Sequence, residues 1–100
     1  MHDPIVIEVE SDFEAVVPLF MAQRRKDQVV MARALEAGDF EALRLVGHGM
    51  AGAGGSYGFL QITVMGEAIE CAARARDTAE LLKQATQLAD YMERVVVKFV

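Results

Sequence analysis

From residue 12 onward the apolar positions recur at intervals of three and four, the repeat of helices with one buried face. Alanine, leucine, methionine and glutamate dominate that stretch and proline is nearly absent from it, which predicts an all-helical domain. Ser11-x-x-Glu14 reads as a capping box opening a short first helix. Pro18 suits the first turn of a second helix, where its missing N–H costs nothing, and Gly38 marks the stop after about Ala37. Asp39 caps a third helix beginning at Phe40, and the glycines from Gly54 to Gly58 end it. A fourth helix starts near Phe59. Asp77 or Thr78 opens the last one, in which Leu81, Ala85, Leu88, Met92, Val96 and Phe99 form a single apolar stripe. The spacing predicts an all-α fold, an antiparallel four-helix bundle with a short extra N-terminal helix. Ile5-Val6-Ile7-Glu8-Val9 is the only strand-like stretch, and it lacks an evident pairing partner. It reads as part of an extended arm over residues 1–10, ahead of a single domain over residues 11–100.

Composition narrows the class of function. At 100 residues, with 53% hydrophobic and 25% charged positions, the chain suits one folded domain and not a disordered segment. No apolar run approaches the ~20 residues that cross a bilayer. Acidic residues occupy the N-terminal stretch where a signal peptide needs positive charge, and Cys71 has no disulfide partner, so a cytoplasmic setting is expected. A net charge of −5 argues against a nucleic-acid surface, and nothing suggests a membrane partner. Two histidines and one cysteine are too few for a closed structural zinc site, and no metal site is expected.

Six of the eight glycines fall between Gly47 and Gly58. Gly47-x-Gly49-x-x-Gly52 satisfies a dinucleotide-binding pattern, but that pattern works only between a strand and a helix, and Phe40 to Val46 reads as helix. Gly49 to Ser56 resembles a phosphate-binding loop with Gly55 in place of the required lysine. Both matches are accidental. The placement of His48 is more informative. At roughly 100° per residue, Phe40, Leu43, Gly47, Met50 and Gly54 make the inward stripe of the third helix, and His48 falls at its edge. Arg44 lies one turn before it on the same side, and Ala51, Gly52 and Gly55 surround it with small side chains. Glycine in a helix costs up to about 1 kcal/mol relative to alanine, so a steric purpose is one reading and tight helix packing the other.

Glu70 sits within the inward stripe of the fourth helix, formed by Phe59, Ile62, Gly66, Ile69 and Ala73. A carboxylate there needs a partner. It can accept from one nitrogen of a nearby histidine and free the other as a nucleophile, or it can sit at the stripe edge and reach out to water or pair with Arg74. Arg24 and Asp27, on the face of Phe20, Met31 and Leu35, read as a structural ion pair at i,i+3 spacing. Cys71 and His2 carry no assigned role.

An exposed histidine on the third helix of a small acidic bundle, followed by glycines, resembles the histidine-containing phosphotransfer (HPt) domain. The family pattern H-x-x-K-G, with a further glycine six positions on, reads here His48-Gly49-Met50-Ala51-Gly52 and then Gly58. The resemblance also takes in Pro18-Leu19-Phe20, Arg24-Arg25, Ala34 to Phe40, and Ile69 to Arg74. It implies that His48 carries a phosphoryl group and that Glu70 orients the imidazole. The family lysine is Ala51 here, and Arg44 is the candidate to supply the charge. Docking candidates are Leu45, Met50, Ala51, Gly52 and Gly55. The implied partners are receiver domains of response regulators and a sensor or hybrid histidine kinase. The resemblance further implies that no cofactor is bound by this chain, that Mg²⁺ comes from the receiver, and that the chain is a relay without an ATP site. An adaptor that binds a receiver without being phosphorylated is the alternative, a plain helical interaction module a third reading. A monomer is expected.

Overall fold

Local chemistry sets both ends of the first long helix and the starts of the second and fourth. In a computed structural model describing residues 3–100, the chain runs β1 (Ile5–Val9), a 3-10 turn (Ser11–Phe13), α1 (Val17–Ala37), α2 (Phe40–Gly54), a second 3-10 turn (Gly55–Tyr57), α3 (Leu60–Arg74), α4 (Thr78–Arg94) and β2 (Val95–Phe99). Pro18 lies in the first turn of α1, and Gly38 ends that helix in the left-handed region at φ 68°. The Asp39 carboxylate accepts from the Ala42 N–H at 3.1 Å, and Asp77 accepts from the Glu80 N–H at the same distance. Each bond satisfies one orphan donor of a helix start.

The long helices pack as a ring, with α1 on α2, α2 on α3, α3 on α4 and α4 back on α1. Leu43 and Met50 of α2, Ile62 and Ile69 of α3, and Leu81 and Leu88 of α4 are fully buried at its centre with Met31 and Phe59. Full burial of a side chain of this kind contributes about 1.5–3 kcal/mol. The α2 and α3 helices run in opposite directions, since Gly54 meets Thr63 while Gly47 meets Gly66 and Glu70.

Three expectations are corrected. The fold is not purely helical: β1 pairs in parallel with β2, in a register that sets Ile5 beside Val95 and Val9 beside Phe99. The strand-like arm thus has a partner, and its inward residues Ile5, Ile7 and Val9 pack on the core. The last helix ends at Arg94, so Val96 and Phe99 belong to a strand and not to the helical stripe. The short first helix is a single 3-10 turn without a side-chain cap. Ser11 Oγ donates instead to the Val100 carbonyl at 2.7 Å, closing the end of the sheet. His2 lies outside the described residues.

Arg24 and Asp27 form the expected ion pair, Nε to Oδ2 at 2.7 Å, and both residues are buried. Burial raises the Asp27 carboxyl above its ordinary 3.8 despite the opposing pull of Arg24 and the hydrogen bond from Gln23. A raised carboxyl favours the proton in the fold, so its contribution to stability is complete below pH 3.8 and declines as pH rises through the higher folded value. Removing only the acid strands a buried cation. Asp27→Ala is therefore expected to cost about 3–5 kcal/mol, whereas Arg24→Met with Asp27→Leu is expected to be neutral or to stabilise by about 1–4 kcal/mol. Urea unfolding of the variants at neutral pH checks this; a double variant as unstable as the single one would contradict it.

Candidate functional site

The site is built on a close approach of α2 and α3. A side chain on Gly47 would meet the backbone N of Glu70 at 2.5 Å and the carbonyl of Gly66 at 2.7 Å. One on Gly66 would collide with the backbone N of Ala51 and come within 2.7 Å of the Gly47 carbonyl. Bare backbone on both sides lets α2 and α3 touch here. That contact sets His48, next to Gly47, beside Glu70, four residues beyond Gly66.

His48 Nδ1 lies 3.2 Å from Glu70 Oε2. A carboxylate only accepts, so this bond places the imidazole proton on Nδ1 and leaves the lone pair on Nε2. The His48 side chain is 72% exposed while that of Glu70 is only 16% exposed. The geometry is that of a ring held from beneath by an inward carboxylate and open above.

Glu70 meets both His48 and Arg74. The same Oε2 accepts from Arg74 Nη2 at 3.0 Å, with Arg44 Nη1 at 3.9 Å. Arg44 is otherwise engaged: its Nε and Nη2 donate to Glu41 at 3.1 and 2.6 Å. Those bonds hold the Glu41 carboxyl below its ordinary range and raise the Arg44 guanidinium further. Arg74, one helical turn beyond Glu70, is the more directly placed cation, and its i,i+4 spacing was the signal for it.

The glycines divide into two kinds. Gly47, Gly54 and Gly66 face backbone at distances no side chain tolerates. At Gly49 and Gly52 an added methyl would meet nothing within 4 Å, and both lie exposed in regular helix. They give up about 0.5–1 kcal/mol each relative to alanine and gain no packing in return. Gly55 is exposed as well, Ala51 is half-buried, and Leu45 presents an apolar side chain at 55% exposure. Met50 does not join this surface. It is fully buried, as its place on the Leu43–Gly47 stripe requires, so the expectation that it takes part in docking is corrected.

A mostly apolar groove of about 620 Å³ lies between α3 and α4, bordered by Leu60, Val64 and Tyr91, and His48 does not line it. Cys71 is exposed and unpaired. Among the described residues no cluster of three or more histidine, cysteine or acidic side chains could hold a metal ion, and no helix is long and apolar enough to cross a membrane.

The comparison with known families agrees with the resemblance carried by His48 and its glycines. A family model described as the Hpt domain matches residues 15–97, a span that includes all four long helices, His48 and Glu70. No curated protein and no solved structure matches significantly. With the family matched over most of its length, the chain belongs to the Hpt-domain family.

Proposed function

We propose that the protein is a phosphorelay intermediate that accepts a phosphoryl group on His48 from a receiver-domain aspartate, or from a hybrid kinase, and passes it to another receiver. The observation that carries this reading is the exposed imidazole whose Nδ1 is held by Glu70. The lone pair on Nε2 attacks the phosphorus of an aspartyl phosphate. The N–P bond forms as the acyl P–O bond breaks, the aspartate leaves as carboxylate, and the Nδ1 proton stays shared with Glu70. Onward transfer reverses these changes on a second receiver. The receiver brings Mg²⁺ and the groups that stabilise the transferring phosphoryl, so this chain contributes positioning of the nucleophile.

Leu45, Ala51, Gly52 and Gly55 surround the ring with a low surface on which a receiver can seat closely. Support for Gly52 comes from its lack of any structural use. The test is incubation with a phosphorylated receiver domain in Mg²⁺, scoring acid-labile, base-stable phosphate on this chain. The adaptor reading has one specific observation in its favour, alanine at position 51 where the family has lysine. Receiver binding without label would establish it.

Arg74 and Arg44 separate by their geometry. Ion pairs with a solvent-exposed arginine contribute little, so each loss should change transfer rate or phosphohistidine lifetime by less than about fivefold. Arg74→Ala is expected to have the larger effect and Arg74→Lys to restore most of it. Arg44→Ala should do less, because its guanidinium is committed to Glu41. Unchanged rate and lifetime in both variants would remove the arginines from the site.

A further inference from the structure

Among the described residues the sheet has two strands, so each has one side turned away from its partner. The hydrogen bonds show which groups lie there. Val100 donates its N–H to the Val9 carbonyl at 2.9 Å and accepts from the Ser11 N–H at 3.0 Å, so both its polar groups face β1. These directions alternate along a strand. Val96 and Lys98 therefore also face β1, and Val95, Val97 and Phe99 turn their polar groups outward. The Val95 N–H is taken by the Tyr91 carbonyl at the end of α4. By that alternation the N–H and C=O of Val97 and Phe99 point away from β1, and among the described residues no turn, loop or cap bond takes them.

The outward side of β1 is not equivalent. By the same alternation Val6 and Glu8 turn outward there, and the Glu8 carbonyl faces Gly58, whose added Cβ would lie 3.8 Å away. The link between α2 and α3 covers that side. The free edge of the sheet is β2, a run of Val95-Val96-Val97-Lys98-Phe99 without proline. Such an edge is a template for another strand unless charge blocks it. Its one charge, Lys98, sits directly across from Glu8 in the register, so the outer face is locally neutral.

We propose that β2 pairs antiparallel with β2 of a second copy of this chain about a two-fold axis at Val97, giving a four-stranded sheet and a dimer. This departs from the monomer expected from sequence and does not depend on the phosphoryl chemistry. The outward groups require odd-numbered residues to face one another, which sets Val97 against Val97 and Val95 against Phe99. Lys98 then lies opposite Val96 of the second copy, so each outer-face row reads Glu8, Lys98, Val96, Val6 with no like charges adjacent. A shift of two residues toward the end of the strand would set Lys98 against Lys98, and a shift toward its start would shorten the overlap. The pairing also brings Lys98 of the second copy alongside Val96, which is 49% exposed in the single chain.

Position 96 supplies a test that the isolated fold does not disturb, because Val96 points to solvent there. Val96→Lys places like charges opposite each other twice in the dimer, whereas Val96→Glu places opposite charges there. Sedimentation equilibrium on the full chain, from low micromolar to millimolar concentration, should show wild type at twice the 11.0 kDa mass at the upper end. Val96→Lys should weaken association about tenfold or more, and Val96→Glu should strengthen it. Val97→Pro removes an outward N–H and leaves the bonds to β1 intact, so it should be monomeric with unchanged helical circular dichroism. Wild type that stays monomeric at millimolar concentration would overturn the proposal. So would equal shifts from Val96→Lys and Val96→Glu, which would point to nonspecific association or to a different partner for this edge.

Discussion

His48→Gln is expected to abolish acid-labile phosphate on the chain when it is incubated with a phosphorylated receiver domain, while leaving its unfolding midpoint almost unchanged. Glutamine offers no nucleophilic lone pair of the imidazole kind, so the loss should be complete. The side chain is 72% exposed and buries no core contact, which places the stability change within about 0.5 kcal/mol. The glutamine amide can still donate to Glu70, so the carboxylate is not left without a partner. Receiver binding, measured calorimetrically, should survive the substitution, because the surrounding Leu45, Gly52 and Gly55 are untouched. Label persisting on His48→Gln would move the acceptor to another residue. Binding without label on the wild type would instead make the protein an adaptor.

Gly66→Ala is expected to destabilise the fold and to pull the histidine away from its carboxylate in one step. The added methyl would collide with the backbone N of Ala51 and reach within 2.8 Å of Met50 Cβ, and neither is the free end of a flexible side chain. Overpacking of this kind costs about 1–3 kcal/mol, occasionally more. It would outweigh the gain of up to about 1 kcal/mol that alanine brings to a helix. The Gly52→Ala control carries the same helix gain with nothing within 4 Å, so it should stabilise by about 0.5–1 kcal/mol. Opposite signs in urea unfolding, together with slower phosphotransfer in Gly66→Ala, would confirm that the α2–α3 contact positions the site. Equal stability of the two variants would refute it.

Much of this was legible in the residues because it is local. Pro18 and Gly38 bound α1, and Asp39 and Asp77 cap their helices through bonds spanning three residues. The inward placement of Glu70 and the edge placement of His48 follow from helical spacing, although their 22-residue separation leaves the contact itself to the packing of α2 on α3. Nonlocal features were harder. Parallel pairing of β1 with β2 needs the whole bundle to bring the strands together. The Met92, Val96, Phe99 spacing imitates a helix even though Val95-Val96-Val97 is β-branched throughout. Ser11 and Glu14 match a capping box, yet the serine hydroxyl finds a better acceptor at Val100. Arg44 lies on the correct side of His48, but its neighbour Glu41 claims the guanidinium first.

The parallel strand pair bears on how the molecule comes together. Bringing its strands into register closes a chain segment of ~90 residues, an entropic cost on the order of 4 kcal/mol. Two short strands do not recover that by themselves. The helices must already have assembled, so the sheet forms last and opens first, as a latch on a completed bundle. Amide protons of Ile7 and Val96 therefore report on that latch, whereas those in the buried stretches of α2 and α3 report on the whole domain.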